Sequence, residues 1–227
     1  MPTPPLVGLD FWGVLVKTLP WFVRGAEYTL FLTVIGSFFG VILGLLAALA
    51  RISSFGPTRA LGTFYTWVFR GTPLLVQIWL VYFGLPSLGF TIFNNALFSG
   101  SVALSLNTGA YLAEVFRAAI ESIPRGQMEA ARSLGMSYAQ AMRRVILPQG
   151  IRRMIPPSIN QFVALLKDSS LVATISVWEI TFVAKTITAA TFRSFDLFTL
   201  AALYYLVLTT LFTTLGAWVE KRLLAYE

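Results

Sequence analysis

The chain has 227 residues but no cysteine and no histidine. Disulfide bonds, thiolate zinc sites, cysteine or histidine nucleophiles and haem ligation by these residues are therefore excluded. Metal or acid–base chemistry would have to depend on ten Asp and Glu residues. The GxxxxGK(S/T) loop with which many ATPases hold phosphate is also absent. We expect no cofactor in this chain.

Charged residues are scarce as well. They make up 12% of the chain against 56% hydrophobic residues, and the mean hydropathy is +0.74, whereas about a quarter of a soluble domain is charged. This composition predicts an integral membrane protein. The amino-terminal sequence lacks the basic start of a secretory signal, so we expect the first span to be retained.

Five segments are predicted to cross the membrane, because each approaches the roughly 20 mostly apolar residues that a helical span needs. Two of them contain no charged residue, Tyr28–Ala50 and Leu197–Val219. The other three contain charges or helix-breaking residues, and they are about Phe64–Leu85, Phe98–Ile120 and Ser158–Val183. The predicted fold is all-α, a multi-pass membrane protein with about five transmembrane helices.

Lys and Arg residues are distributed unevenly between the two sides of this bundle. With the amino terminus outside, the cytoplasmic segments 51–60, 117–157 and 219–227 contain eleven of them, and the external segments contain four. Basic residues concentrate on the cytoplasmic side. We therefore predict a membrane protein with its amino terminus outside and its carboxyl terminus in the cytoplasm. This asymmetry explains the net charge of +7, so we expect no nucleic-acid partner.

Residues 1–26 are predicted to form an outer segment, in which Asp10–Ala26 lies as a helix in the membrane interface. Trp12 and Trp21 suit that position, since amphipathic rings favour the interface. A sixth span is the alternative. The transmembrane domain is expected over 27–219, with a cytoplasmic tail over 220–227.

Gly36, Gly40 and Gly44 form two overlapping GxxxG steps in the first span. Such a face allows two helix backbones to approach closely in a membrane. The partner helix could belong to the same subunit or to a second subunit, and the pattern does not distinguish them.

The most basic loop, about 121–157, contains the signals of a helical hairpin. A short helix is predicted over Arg125–Leu134, and Gly135 suits the left-handed position that ends a helix. Ser137 with Gln140 three residues later is a capping-box pattern that starts a second helix. Pro148 is expected to end it.

Ionisable side chains inside a membrane are costly, which makes each one a functional candidate. Arg70, Asn107 and Asp168 are predicted to lie near the midplane, with Glu114 closer to the cytoplasm and Lys167 beside Asp168. For a zwitterionic solute with a carboxylate and an ammonium group, Arg70 could bind the carboxylate, Asp168 the ammonium group, and Asn107 could add an amide. Alternatively, Arg70 neutralises Asp168, or Lys167 neutralises Glu114, across packed helices.

Glu-Ala-Ala at 129–131 is followed by Gly135, Val145 and Leu147-Pro148. This spacing resembles the cytoplasmic loop of ABC importer permeases, although Val145 stands where Ile is common. Further stretches resemble the polar amino acid subfamily, in which Ala is common at the position of Gly150. They are RGTPLLVQ (70–77), AYLAEVFRAAIESIPRGQMEAARSLGM (110–136), LPQGIRRMIPPSINQF (147–162) and LKDSSLVATISVWEI (166–180).

The resemblance implies two ATPase subunits, a second permease subunit that is a copy or a relative, an external substrate-binding protein and a polar amino acid substrate. It also implies that this chain lies in the lipid of the inner membrane of a prokaryote. ATP and Mg would be bound by the partner ATPase, so this chain would not be an enzyme. It would move substrate by alternating access. The residues expected to contact the ATPase are Arg125, Glu129, Ala130, Ala131, Ser133, Gly135, Met136 and Ser137.

Two other classes of protein fit the composition. A secondary carrier or channel could use Arg70, Glu114, Lys167 and Asp168 as an ion path, and an intramembrane enzyme could use the carboxylates. Neither class requires the basic hairpin with its fixed spacing, which therefore favours the importer permease.

Overall fold

The computed structural model describes Leu6 and residues 8–224, without the side chains of residues 223 and 224. The described residues form helices and contain no strand, so the all-α prediction is confirmed. We number the helices in chain order. They are α1 (Phe11–Ile52), α2 (Gly56–Gly71), α3 (Leu74–Ser87), α4 (Ala96–Glu121), α5 (Arg125–Ser133), α6 (Tyr138–Ile175), α7 (Ile180–Thr191) and α8 (Ser194–Leu224).

Two described helices, α1 and α8, are each long and apolar enough to cross a membrane. The number rises to four if α2 with α3, and α6 with α7, each form one bent span. Helix α4 is also long, about 39 Å at 1.5 Å per residue, but it contains several polar residues and packs against α1, α2 and α6. The chain is a multi-pass membrane protein, and the count of five spans stays a prediction.

The predicted second span is broken in the middle. Helices α2 and α3 meet at an angle of 105°. Pro73 causes the break, because a proline disfavours the helical conformation in the residue before it. Thr72 accordingly has an extended backbone, with φ −121° and ψ 148°.

Helix α1 runs without interruption for 42 residues, through Pro20. The segment Asp10–Ala26 is therefore helical but is not a helix separate from the first span. Trp21 and Phe22 belong to a buried cluster with residues of α7 and α8, while Trp12 is exposed. The position of Asp10–Ala26 in the membrane interface stays a prediction. Residues 1–5 and 7 lie outside the described part of the chain.

The GxxxG face of α1 packs within the same subunit. A Cβ atom at Gly40 would lie 2.8 Å from the Thr108 Cγ2 atom, and one at Gly44 would lie 2.8 Å from the Leu112 Cβ atom. Both neighbours are on α4. The glycines thus allow α1 and α4 to pack closely, which settles the choice that the sequence left open.

The prediction that Pro148 ends the second hairpin helix is wrong, because α6 continues beyond it to Ile175. A π-helical turn over Met142–Ile146 precedes the proline, and the Leu147 N–H bonds to the Met142 carbonyl five residues earlier. The wider turn accommodates a residue that has no N–H and whose ring crowds the preceding turn. Helix α3 uses the same arrangement before Pro86.

Candidate functional site

Glu114, on α4, lies at the centre of an ionic cluster. Its Oε2 atom accepts hydrogen bonds from Arg51 Nη1 and, at 3.2 Å, from Arg70 Nη1. Its Oε1 atom accepts from Arg117 Nη2, and Arg117 also pairs with Glu121. We call these five residues the Glu114 cluster. It joins α1, α2 and α4, and it brings three cations to two carboxylates.

Arg70 is the most solvent-exposed cation of this cluster. Its side chain is 40% exposed, against 17% for Arg51 and 26% for Arg117. Its guanidinium also lies over the Tyr111 ring, 5.6 Å from the ring centroid. A guanidinium has five N–H donors, and the single hydrogen bond to Glu114 leaves most of them available for a further anion.

Asn107 lies in a separate, buried network that holds the bend between α2 and α3. Its amide donates to the Phe69 carbonyl at 3.2 Å and to Gln77 Oε1 at 3.0 Å. Gln77 in turn donates to the carbonyls of Phe69 and Thr72 at 2.8 and 3.1 Å. These carbonyls end a helix and need partners. The Asn107 amide is thus used in hydrogen bonds that hold the bend, and the residue is only 6% exposed.

Lys167 and Asp168 lie elsewhere, near the carboxyl-terminal part of α6. Neither side chain forms a hydrogen bond or ion pair with another described residue. Nearby, Leu165 and Leu104 meet at Gly36 of α1. Glu114 lies ten residues beyond Leu104 on α4, which corresponds to about 15 Å along the helix.

The predicted ion pairs are therefore wrong. Arg70 pairs with Glu114 rather than with Asp168, and Glu114 does not pair with Lys167. The carboxylate and ammonium groups of an amino acid are attached to one carbon. One zwitterion would have to bridge two separate parts of the bundle to contact both Arg70 and Asp168, so the joint binding of a substrate by this pair stays a prediction.

A sharp turn separates α5 from α6, and we call residues 125–141 the hairpin. Gly135 has φ +81°, the left-handed conformation that the sequence predicted. The Met136 N–H bonds to the Ala131 carbonyl at 3.2 Å, and the Gly135 N–H bonds to the Arg132 carbonyl at 3.0 Å. This pair of bonds is the Schellman motif, which satisfies the last carbonyls of α5.

The predicted capping box is confirmed at the start of α6. The Gln140 N–H donates to Ser137 Oγ at 3.3 Å, and the Ser137 N–H donates to Gln140 Oε1 at 2.8 Å. The two ends of the turn are thus satisfied by local hydrogen bonds, which fixes the angle between α5 and α6.

Most residues expected to contact an ATPase are on the outer surface of the hairpin. The exposed residues are Arg125, Glu129, Ala130, Ser133, Gly135 and Ser137, and Met136 is half-buried. Ala131 differs from them because it is buried, with 4% exposure, so it packs inside the hairpin. The carboxylate of Glu129 has no hydrogen bond or ion pair with another described residue.

Sequence reasoning overlooked two apolar side chains on this surface. Leu134 is 80% exposed and Tyr138 is 56% exposed, on either side of Gly135. The available signal was two large apolar residues flanking the glycine turn of a polar loop. Exposed apolar groups beside unpaired polar ones are typical of a surface that binds another protein.

The hairpin is attached to the bundle through buried apolar contacts. Ile123, before α5, and Ile146, in α6, belong to one buried cluster with Ile120 of α4. Met128 and Met142 pack against this cluster and line a groove of about 500 Å³ beneath the hairpin. Only three residues separate α4 from α5, so a displaced hairpin would pull directly on the end of α4.

Glu179 has a structural role that sequence reasoning also missed. It is fully buried, and its carboxylate accepts from the Thr181 and Phe182 N–H groups at 2.9 and 2.6 Å and from the Tyr205 hydroxyl at 2.6 Å. An acidic residue just before a helix is the available signal for such a cap. It connects the start of α7 to α8. No group of three or more acidic residues in the described part of the chain could hold a metal ion.

Residues 40–225 match the family described as binding-protein-dependent transport system inner membrane component. The chain belongs to this family. The resemblance noted in the Glu-Ala-Ala loop is thereby confirmed, and the chain is a membrane permease component rather than an enzyme. The carrier and intramembrane-enzyme alternatives are not supported.

Relatives in the family align over nearly their whole length. The arginine transport system permease protein ArtQ of Bacillus subtilis (strain 168) is 38% identical, with 96% of this chain and 98% of the relative covered. The glutamine transport system permease protein GlnP of Escherichia coli (strain K12) is 34% identical, with 93% and 97% covered.

Solved structures of ABC transporters contain chains with the same fold. The crystal structure of an amino acid ABC transporter with histidines contains a chain that is 41% identical, with a TM-score of 0.89 and coverage of 95% of this chain and 100% of that one. The MetNI methionine ABC transporter in inward-facing conformations is 20% identical, with a TM-score of 0.76 and coverage of 91% and 97%. At that identity the likeness concerns the fold alone.

Proposed function

We propose that this chain is the permease subunit of an ATP-driven importer for polar amino acids. The hairpin carries the proposal, because it presents unpaired polar and apolar groups on a turn that local hydrogen bonds hold in shape. Relatives named as arginine and glutamine permeases support the substrate class. The partners are two ATPase subunits that bind ATP and Mg, a second permease subunit and an external substrate-binding protein.

The hairpin faces the cytoplasm in this proposal, as the distribution of Lys and Arg favours, with the amino terminus outside. Leu134 and Tyr138 enter an apolar part of the ATPase surface, and Glu129 meets a basic or N–H donor group there. When ATP closes the two ATPase subunits, each draws its hairpin inward. The short connection to α4 then carries the movement to Glu121 and the rest of the Glu114 cluster.

Arg70 is our candidate for the group that meets the carboxylate of the amino acid. It is supported by the exposure of its guanidinium and by the excess of one cation in the Glu114 cluster. Lys167 and Asp168 act at a different depth, so they contact the substrate at another stage of its passage. Asn107 acts through the bend that positions Arg70.

The test is uptake of radiolabelled arginine and glutamine by proteoliposomes that contain the purified permease with its ATPase. We expect uptake of at least one of them only when ATP and the binding protein are both present. Equal uptake in vesicles without ATP or without the ATPase would contradict an ATP-driven importer.

A further inference from the structure

A groove of about 390 Å³ lies between α6 and α8, away from the hairpin and the Glu114 cluster. Its walls are almost entirely apolar and include Ile155 and Ile159 from α6 and Leu215 and Val219 from α8. The helices approach closely at one point, where a Cβ atom on Gly216 would lie 2.3 Å from the Ile159 Cγ2 atom.

The apolar face of each helix ends in an arginine. On α6, Ile155, Ile159 and Phe162 share a face with Arg152, because they lie three, seven and ten residues after it. On α8, the lining residues Phe212, Leu215 and Val219 lie ten, seven and three residues before Arg222. The two helices thus have the same spacing of apolar residues from an arginine, read in opposite directions along the chain.

Because the helices are antiparallel, both arginines lie at the same end of the groove. The Phe162 and Phe212 rings are 5.0 Å apart, on the side of the Ile159–Gly216 contact away from the arginines. Arg152 lies seven residues from Ile159 and Arg222 six residues from Gly216, which is about 10 Å along each helix. The two cations are therefore at nearly the same depth.

Among the described residues, this end of the groove has more cations than carboxylates. The exposed Arg152 side chain has no hydrogen bond or ion pair with another described residue. Arg222 lies over the Trp218 ring, 4.4 Å from its centroid. Lys221 adds a third cation and Glu220 one carboxylate. Trp side chains favour the level of lipid headgroups, so Trp218 and Arg222 mark that level on α8.

We propose that this groove binds a phospholipid with an anionic headgroup. One acyl chain lies along the apolar walls, and the phosphate group lies between Arg152 and Arg222. Basic residues between transmembrane helices attract anionic headgroups, and an apolar groove alone would not distinguish one phospholipid from another. The inference depends on the membrane location of the chain and not on its substrate.

The test is native mass spectrometry of the assembled transporter, titrated with dioleoyl phosphatidylglycerol or with dioleoyl phosphatidylcholine. We expect tighter binding of phosphatidylglycerol. Arg152→Gln and Arg222→Gln should each weaken that binding about fivefold, and together about 25-fold if they act independently, while phosphatidylcholine binding changes little. Arg59→Gln is the matched control, since Arg59 is exposed on α2 and does not line this groove.

A second variant tests the apolar part of the groove. Ser158→Phe places a large side chain among the lining residues, so we expect weaker binding of both lipids. Equal affinity for the two lipids in the unmodified protein, or equal losses in Arg59→Gln and Arg152→Gln, would overturn the proposal. Failure of the assembled transporter to retain any lipid would also overturn it and would indicate that the second permease subunit covers the groove.

Discussion

The hairpin and the Glu114 cluster are both polar, but their polar groups differ in the partners that they bind. In the hairpin, the backbone groups at the turn are satisfied locally, and the Glu129 carboxylate has no partner among the described residues. In the Glu114 cluster, one carboxylate receives hydrogen bonds from three arginines on three helices. The difference indicates that the hairpin is shaped for an external partner, whereas the cluster holds the bundle together and leaves Arg70 as its most exposed cation.

Glu114→Gln tests the cluster and should have the largest effect on stability. Removing the charge leaves three arginines close together, and we expect a loss of about 3 kcal/mol, the lower end for a broken buried ion pair because solvent reaches this one. Thermal unfolding of the purified protein measures it. Glu121→Gln is the matched control, since that carboxylate is 52% exposed and pairs with Arg117 alone. Equal losses in both variants would show that Glu114 does not join the helices.

Gln77→Ala tests the network that holds the α2–α3 bend. It removes the donor to two helix-terminal carbonyls and the acceptor for Asn107. We expect a loss of about 2 kcal/mol, together with lower transport because Arg70 shifts. Gln161→Ala is the control, because the Gln161 amide has no hydrogen bond to another described residue. Normal stability and transport in Gln77→Ala would contradict the role of this network.

Gly135→Ala tests the conformation of the hairpin. The new methyl group has free space, but a non-glycine residue in the left-handed conformation costs about 1 to 2 kcal/mol. We therefore expect reduced ATPase stimulation with normal membrane insertion. Gly126→Ala makes the same chemical change in equally open space without a positive φ, and it should behave like the unmodified protein. Identical stimulation in the two variants would rule out the turn as the important feature.

Leu134→Ser should have the smallest effect on stability, within about 0.5 kcal/mol, because the side chain is exposed. The affinity of the variant permease for the ATPase should nevertheless fall about 10- to 100-fold, since a leucine that becomes buried at an interface contributes about 1.5 to 3 kcal/mol. Titration of the solubilised permease with the ATPase measures this affinity. Leu61→Ser, at a position 70% exposed on α2, should leave it unchanged.

The hairpin could be predicted in detail because its signals are local. The capping box and the left-handed glycine involve residues within a few positions of one another. Two of the three partners of Glu114 could not be predicted, because Arg51 and Arg70 are 63 and 44 residues away in the chain. Several Lys and Arg residues could equally have paired with Glu114, and only the packing of α1, α2 and α4 selects Arg51 and Arg70.

Proline was the least reliable local signal. Pro73 does interrupt the helix between α2 and α3, whereas Pro20 and Pro148 lie within continuous helices. At Pro148 the difference arises from the π-helical turn, which has no simple sequence pattern. The predicted ends of α5 and of the central helix α4 were nevertheless close to those observed, since Gly135 marks the end of α5 and the length of the apolar segment marks α4.

Because the chain has no cysteine, one cysteine introduced as Leu134→Cys tests the central claim directly. A bifunctional thiol reagent applied to the assembled transporter should link this position to the ATPase with a yield that changes when ATP binds. A membrane-impermeant thiol reagent added to intact cells should leave it unmodified. Labelling from outside, or the absence of any ATPase cross-link, would contradict coupling through the hairpin.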